Sequence, residues 1–230
     1  MAIVAVFHSV LGVTPGLVEF AAKLKRPGRE VHVIDQYDGQ VFDDYDEAGA
    51  YVDEVGFPDL MAKAIQAVLD LPDGFVTLGF SNGAGMAEYV AALRPVSAVV
   101  MIGGALPLET IGVTWPEGIP AQIHSAADDP RREQDAIDSV AKAVEDAGGT
   151  AEVFDYPGSG HLFADSSRAD EYQRDEAELL LSRLQDFLDE IDLVLEAEQA
   201  EKAKLADEAE QAKEAKEAEL AGQSGDQSSD

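Results

Sequence analysis

The stretch GFVTLGFSNGAGMAEYVAAL, residues 74–93, decides how the rest of the chain is read. Residues 74–80 are short and apolar on both faces, as a buried parallel strand requires. Residues 82–93 carry a helical pattern. Between the two, Gly79-Phe80-Ser81-Asn82-Gly83 fits G-x-S-x-G. Small residues at 79 and 83 let strand and helix approach closely, and Ser81 sits on a sharp, strained turn with its hydroxyl exposed. The free N–H groups at the helix start favour negative charge that develops there. Glycine-rich turns also cradle phosphate, but here no G-x-G-x-x-G register fits and no Walker lysine follows.

Outward from this turn the chain keeps alternating. Strand-like runs occupy 2–8, 30–36, 97–103, 120–126 and 150–156. Helical patterns fill Gly16–Lys25, a segment capped by Asp59, and Arg132–Ala147. Leu180, Leu184, Phe187, Leu188, Ile191 and Leu195 then share one face of a long amphipathic helix. Strands alternating with helices predict an α/β domain, a mostly parallel central sheet flanked by helices. Ligands in such sheets bind beyond the carboxyl ends of the strands.

A serine hydroxyl needs a base to take its proton, and the base needs an orienting acid. His32 and His124 lie inside strands and read as packed or sheet-face residues. His8 ends the first strand. His161 lies in the glycine-rich loop Tyr156-Pro157-Gly158-Ser159-Gly160-His161, past the last strand, where a base can reach across the sheet top. Strand 120–126 runs into Asp128-Asp129-Pro130, which supplies the acid, although either aspartate also fits a cap for the helix opening near Arg132. Nucleophile, acid and base in this chain order is the α/β-hydrolase order.

Composition narrows the partners. The 230 residues carry 46 acidic and 16 basic side chains, net −30, which repels nucleic acid and anionic membranes. With no cysteine, disulfides and thiolate chemistry are excluded. No apolar run approaches the length of a membrane span, and MAIVAVFH lacks a signal-peptide pattern, so a cytoplasmic location is expected. Residues 1–193 form the expected catalytic domain and carry −23 of the charge. Residues 194–230 are an Ala/Glu/Lys-rich tail, net −7, expected to be partly helical or disordered; its alanines recur every third residue and hold no single helical face. Residues 38–54 hold seven acids and no base; they match no calcium-loop spacing and read as a solvated loop.

Tyr-Pro-Gly-Ser-Gly-His-Leu-Phe-Ala at 156–164 resembles the histidine loop of the dienelactone hydrolases, a branch of the α/β-hydrolase superfamily. His124 followed by Asp129-Pro130 resembles that family's acid loop, and Gly79–Gly83 falls at its nucleophile elbow. His8-Ser9-Val10-Leu11-Gly12 falls at its oxyanion loop. The resemblance covers about residues 1–193 and implies an α/β-hydrolase fold. It implies Asp129 as the acid, Ser81 in place of the usual cysteine, and Ser9 where cysteine members carry a glutamate. It places Asp165 where typical members hold a substrate carboxylate with arginine, which would repel an anionic lactone acid.

The expected reaction is attack by Ser81 on a small ester or lactone. His161 would serve as base and Asp129 as its orienting acid, with the Val10 and Asn82 N–H groups binding the oxyanion. No metal or cofactor is required. His8 and Ser9 would shape the oxyanion loop, and Trp115 and Phe163 are candidate pocket walls. Residues 104–118 are too short for a large lid, which favours a small substrate over a lipid. The competing readings are a catalytically silent hydrolase-fold binding protein and an interaction protein working through its acidic tail.

Overall fold

The structure, a computed structural model, describes residues 2–225, with side chains through 211 and at 213. Among these, six parallel strands form one sheet: β1 (Ile3–Phe7), β2 (Glu30–Ile34), β3 (Phe75–Phe80), β4 (Val96–Ile102), β5 (Ala121–Ala126) and β6 (Ala151–Tyr156). Their spatial order is β2-β1-β3-β4-β5-β6. The chain leaves β1 to one side for β2, then returns across it to β3. The loops after β1 and β3 therefore part at the carboxyl edge, the place where open α/β sheets bind ligands.

Among the described residues, seven helices connect and cover the strands: α1 (Pro15–Leu24), α2 (Tyr45–Val55), α3 (Phe57–Ala67), α4 (Asn82–Leu93), α5 (Leu108–Ile111), α6 (Gln134–Asp146) and α7 (Arg174–Gly225). Helices α1 and α7 pack their Leu17, Phe20, Leu180, Leu184 and Leu188 on one sheet face, against Val4, Val6, Leu78 and Val100. Helices α3, α4 and α6 cover the other face with Leu60, Ala64, Met86, Val90, Ile137 and Val140. Side chains of β3 thus meet apolar neighbours on both sides, which is why every residue of that strand is buried.

Two local expectations change. Most of the acidic segment read as a solvated loop is helix α2. Asp44 caps it by accepting the Asp46 and Glu47 N–H groups, and Ala48, Tyr51 and Val52 pack inward. Helix α3 starts at Phe57 with Gly56 at its cap, so Asp59 lies in its first turn and is not the cap. Helix α7 runs through 193 without a break. Its last fully buried residue is Ile191, and residues 196–211 are exposed. Residues 226–230, the end of the stretch read as helical or disordered, lie outside the described residues. No helix among the described residues is long and apolar enough to cross a membrane.

Candidate active site

Ser81 stands between β3 and α4 at φ 51°, ψ −114°, a left-handed conformation that costs a non-glycine residue about 1–3 kcal/mol. The neighbouring glycines make the turn possible. A Cβ on Gly79 would lie 1.9 Å from the Gly83 carbonyl oxygen, and one on Gly83 would lie 2.4 Å from the carbonyl oxygens of Phe7 and His8. The turn is therefore closed by backbone against backbone, and the end of β1 is brought against the start of α4.

Ser81 Oγ lies 2.6 Å from His161 Nε2, and His161 Nδ1 lies 2.7 Å from Asp129 Oδ2. The hydroxyl donates to Nε2, so Nδ1 carries the ring proton and donates to the carboxylate. The structure thus brings together residues from three loops at the carboxyl edge of the sheet. Of the two aspartates, Asp129 is buried and faces His161, whereas Asp128 is exposed. Burial pushes the Asp129 carboxyl up, but hydrogen bonds from His161 and the Arg131 N–H outweigh it and hold the pKa below its usual value. Asp129 Oδ1 accepts from Arg131 N at 2.8 Å, which ties the acid to its own turn and leaves α6 without a side-chain cap.

The loop after β1 is organised around Ser9. Its carbonyl accepts from Gly12 N and from His8 Nδ1, and its hydroxyl accepts from Leu11 N. The Val10 N–H donates to no group among the described residues, nor does that of Asn82 at the start of α4. His8 is buried, and its Nε2 accepts from Gln36 N at 3.1 Å. Burial lowers its pKa, so it sits as a neutral strut. His124 is the packed histidine its strand position predicts. Burial pushes it down to about 3, and it bonds Tyr156 and Gln122.

The pocket beside Ser81 has a volume of about 260 Å³. Its walls are Phe57, Asn82, Gly85, the segment 103–106, Arg131 and Glu133, with His161 on one side. Three expected neighbours stand elsewhere. Trp115 is buried against the α6 side of the sheet and donates to the Ile119 carbonyl. Phe163 is fully buried beside Tyr156. Asp165 is only 3% exposed and accepts from Thr14 Oγ1 and from Ser167 at the start of α1. It fastens the histidine loop to α1 and does not line the pocket beside Ser81. His8 and Ser9 likewise stay behind the pocket walls.

Sequence reasoning missed the residues that hold the histidine loop from outside. Glu171 accepts from Leu162 N at 2.8 Å and from the Tyr45 hydroxyl. The Arg131 guanidinium stacks on the Tyr45 ring 4.2 Å from its centroid. The only signal for these contacts is the helical spacing that places Tyr45 on the inner face of α2.

Comparison with known proteins agrees with this architecture. No curated protein matches. A dienelactone hydrolase-like promiscuous phosphotriesterase from metagenomic libraries has a similar structure, with TM-score 0.70 and 19% identity over 83% of this chain and 87% of that one. The dienelactone hydrolase of Anabaena variabilis superposes with TM-score 0.55 at 19% identity, covering 81% and 84% of the two chains. Alpha/beta hydrolase domain-containing protein 10 from mouse gives 0.55 at 14% identity, covering 83% and 90%. These likenesses establish an α/β-hydrolase fold. The profile of the dienelactone hydrolase family matches residues 1–192, and the chain belongs to that family of hydrolases.

Proposed function

We propose that this protein is a serine hydrolase that opens a small ester or lactone through an acyl-enzyme on Ser81. The observation that carries the reading is the unbroken hydrogen-bonded chain from Ser81 Oγ through His161 to Asp129. As Ser81 Oγ attacks the carbonyl carbon, His161 Nε2 takes its proton, and Asp129 stabilises the imidazolium. The unpaired Val10 and Asn82 N–H groups receive the oxyanion, each worth about 10²–10³ in rate. His161 then returns the proton to the leaving alcohol. Water, deprotonated by His161, attacks the acyl carbonyl and frees Ser81. A pocket of about 260 Å³ suits a small molecule.

The test is labelling with a fluorophosphonate, followed by a panel of small esters, lactones and thioesters. Wild type is expected to label at Ser81 and turn over at least one panel member, and Ser81→Ala to do neither. Folded wild-type protein that takes up no label sinks the enzyme reading in favour of a silent binding protein.

A further inference from the structure

The most unusual buried group outside the triad is on α4. Glu88 lies two turns beyond Ser81, is 1% exposed, and has no cation beside it among the described residues. Its Oε1 accepts from the Leu106 N–H at 2.9 Å, while Oε2 has no partner among the described residues. Leu106 belongs to the pocket wall, and its side chain presses on Gly85, where an added Cβ would meet Leu106 Cδ2 at 2.8 Å.

That wall leaves β4 through Gly103 and Gly104, at φ 81° and 120°. Only glycine adopts such angles cheaply, and two in succession make a weakly constrained bend. The inner end is tied by Gly103 N donating to the His124 carbonyl. Apart from the Pro107 carbonyl, which accepts from Thr110 N where α5 begins, the hydrogen bond from Leu106 to Glu88 is the one backbone tie of 104–107 among the described residues. We propose that the Glu88 carboxyl is a positioning residue that fixes the 104–107 wall and thereby the length of acyl group Ser81 accepts.

Gly85, Leu106 and Phe57 line the pocket with Ser81 and His161, and the proposal has the acyl chain rest on that wall while the leaving alcohol takes its proton at His161 Nε2. Burial drives the Glu88 carboxyl pKa well up, against the opposing pull of the Leu106 N–H. The acid is held toward its neutral form, in which glutamine can replace it as acceptor.

The assignment rests on acylation of Ser81, so its test has one arm independent of turnover. Hydrogen–deuterium exchange is followed at 104–107 in wild type, Glu88→Gln and Glu88→Met, the last filling the volume without an acceptor. Glu88→Met is expected to exchange Leu106 at least about tenfold faster while β4 and α4 stay protected, and Glu88→Gln to match wild type. In the second arm, the kcat/KM ratio of p-nitrophenyl acetate to hexanoate should shift about tenfold in Glu88→Met, mostly through KM, and stay near wild type in Glu88→Gln. Unchanged Leu106 protection in Glu88→Met overturns the proposal. So does an equal loss on both esters, or a Glu88→Gln variant that behaves like Glu88→Met. Altered exchange in a protein whose wild type hydrolyses neither ester instead indicts the serine-hydrolase reading.

Discussion

At the scale of single residues, the site separates two aspartates that stand side by side in the chain. Asp129 points inward because its turn is closed on Arg131 N, and the same turn sends Asp128 outward, where its N–H bonds the Gly158 carbonyl. The depressed pKa of Asp129 keeps it ionised as His161 gains a proton, which is the state an orienting acid must hold. Asp129→Asn leaves the shape and removes the charge, so kcat on a small ester should fall by about 10⁴. Asp128→Asn, tested beside it, should stay within about threefold of wild type. A larger loss in Asp128→Asn would transfer the acid's role. Ser81, His161 and the elbow glycines were legible in the sequence because each sits at a strand end within a motif. Asp165 misled because a residue's place in a loop does not say which way it points: Thr14 and Ser167 offer it three donors beside α1, and it turns inward to take them.

At the scale of elements, strands were easier to read than the helix that supports the site. The strands announce themselves by apolar, β-branched runs. Helix α2 carries a fair signal, with Tyr45, Ala48, Tyr51, Val52 and Val55 at helical spacing and Asp44 three residues before Glu47. Dense acids and Gly49 obscure it, because polarity and glycine are also the marks of a loop. Helix α4 shows the converse, a strong helix that buries a carboxyl. A carboxyl with a raised folded pKa holds its proton more tightly in the folded chain than in the unfolded one. Its contribution therefore falls as pH rises from the unfolded value of 4.5 toward the raised one. Glu88→Gln cannot ionise. Its Tm should nearly equal that of wild type at about pH 4 and exceed it by a gap that widens as pH rises above that, at about 2–4 °C per kcal/mol. A gap that does not vary with pH would mean that ionisation of Glu88 plays no part.

At the scale of the whole molecule, the charge belongs chiefly to the folded body. Residues 1–193 hold −23 of the −30. Arg29 shows how that surface is managed. Its side chain is buried and paired at 2.6 Å with both Asp189 and Asp192, which clamps α7 beside the start of β2. Past Asp192, which also accepts from the Ala2 N–H, the helix carries no comparable tie to the sheet among the described residues. Leu195 is partly buried on the core, and from 196 to 211 every described residue faces solvent. The alanine repeat gives that segment no continuous apolar seam to press on a neighbour. The site stands at the carboxyl edge of the sheet, while Leu195 and Gln199 lie beside Gly74 and Phe75 at the opposite edge. An element that neither packs on the core nor approaches the site should be dispensable to both. Deleting 196–230 should leave ester turnover within about twofold and shift Tm by no more than about 2 °C, since exposed surface contributes little. The oligomeric state by light scattering should match that of the full chain. A collapse of turnover, or a change of oligomer, would make the acidic extension a working part of the protein.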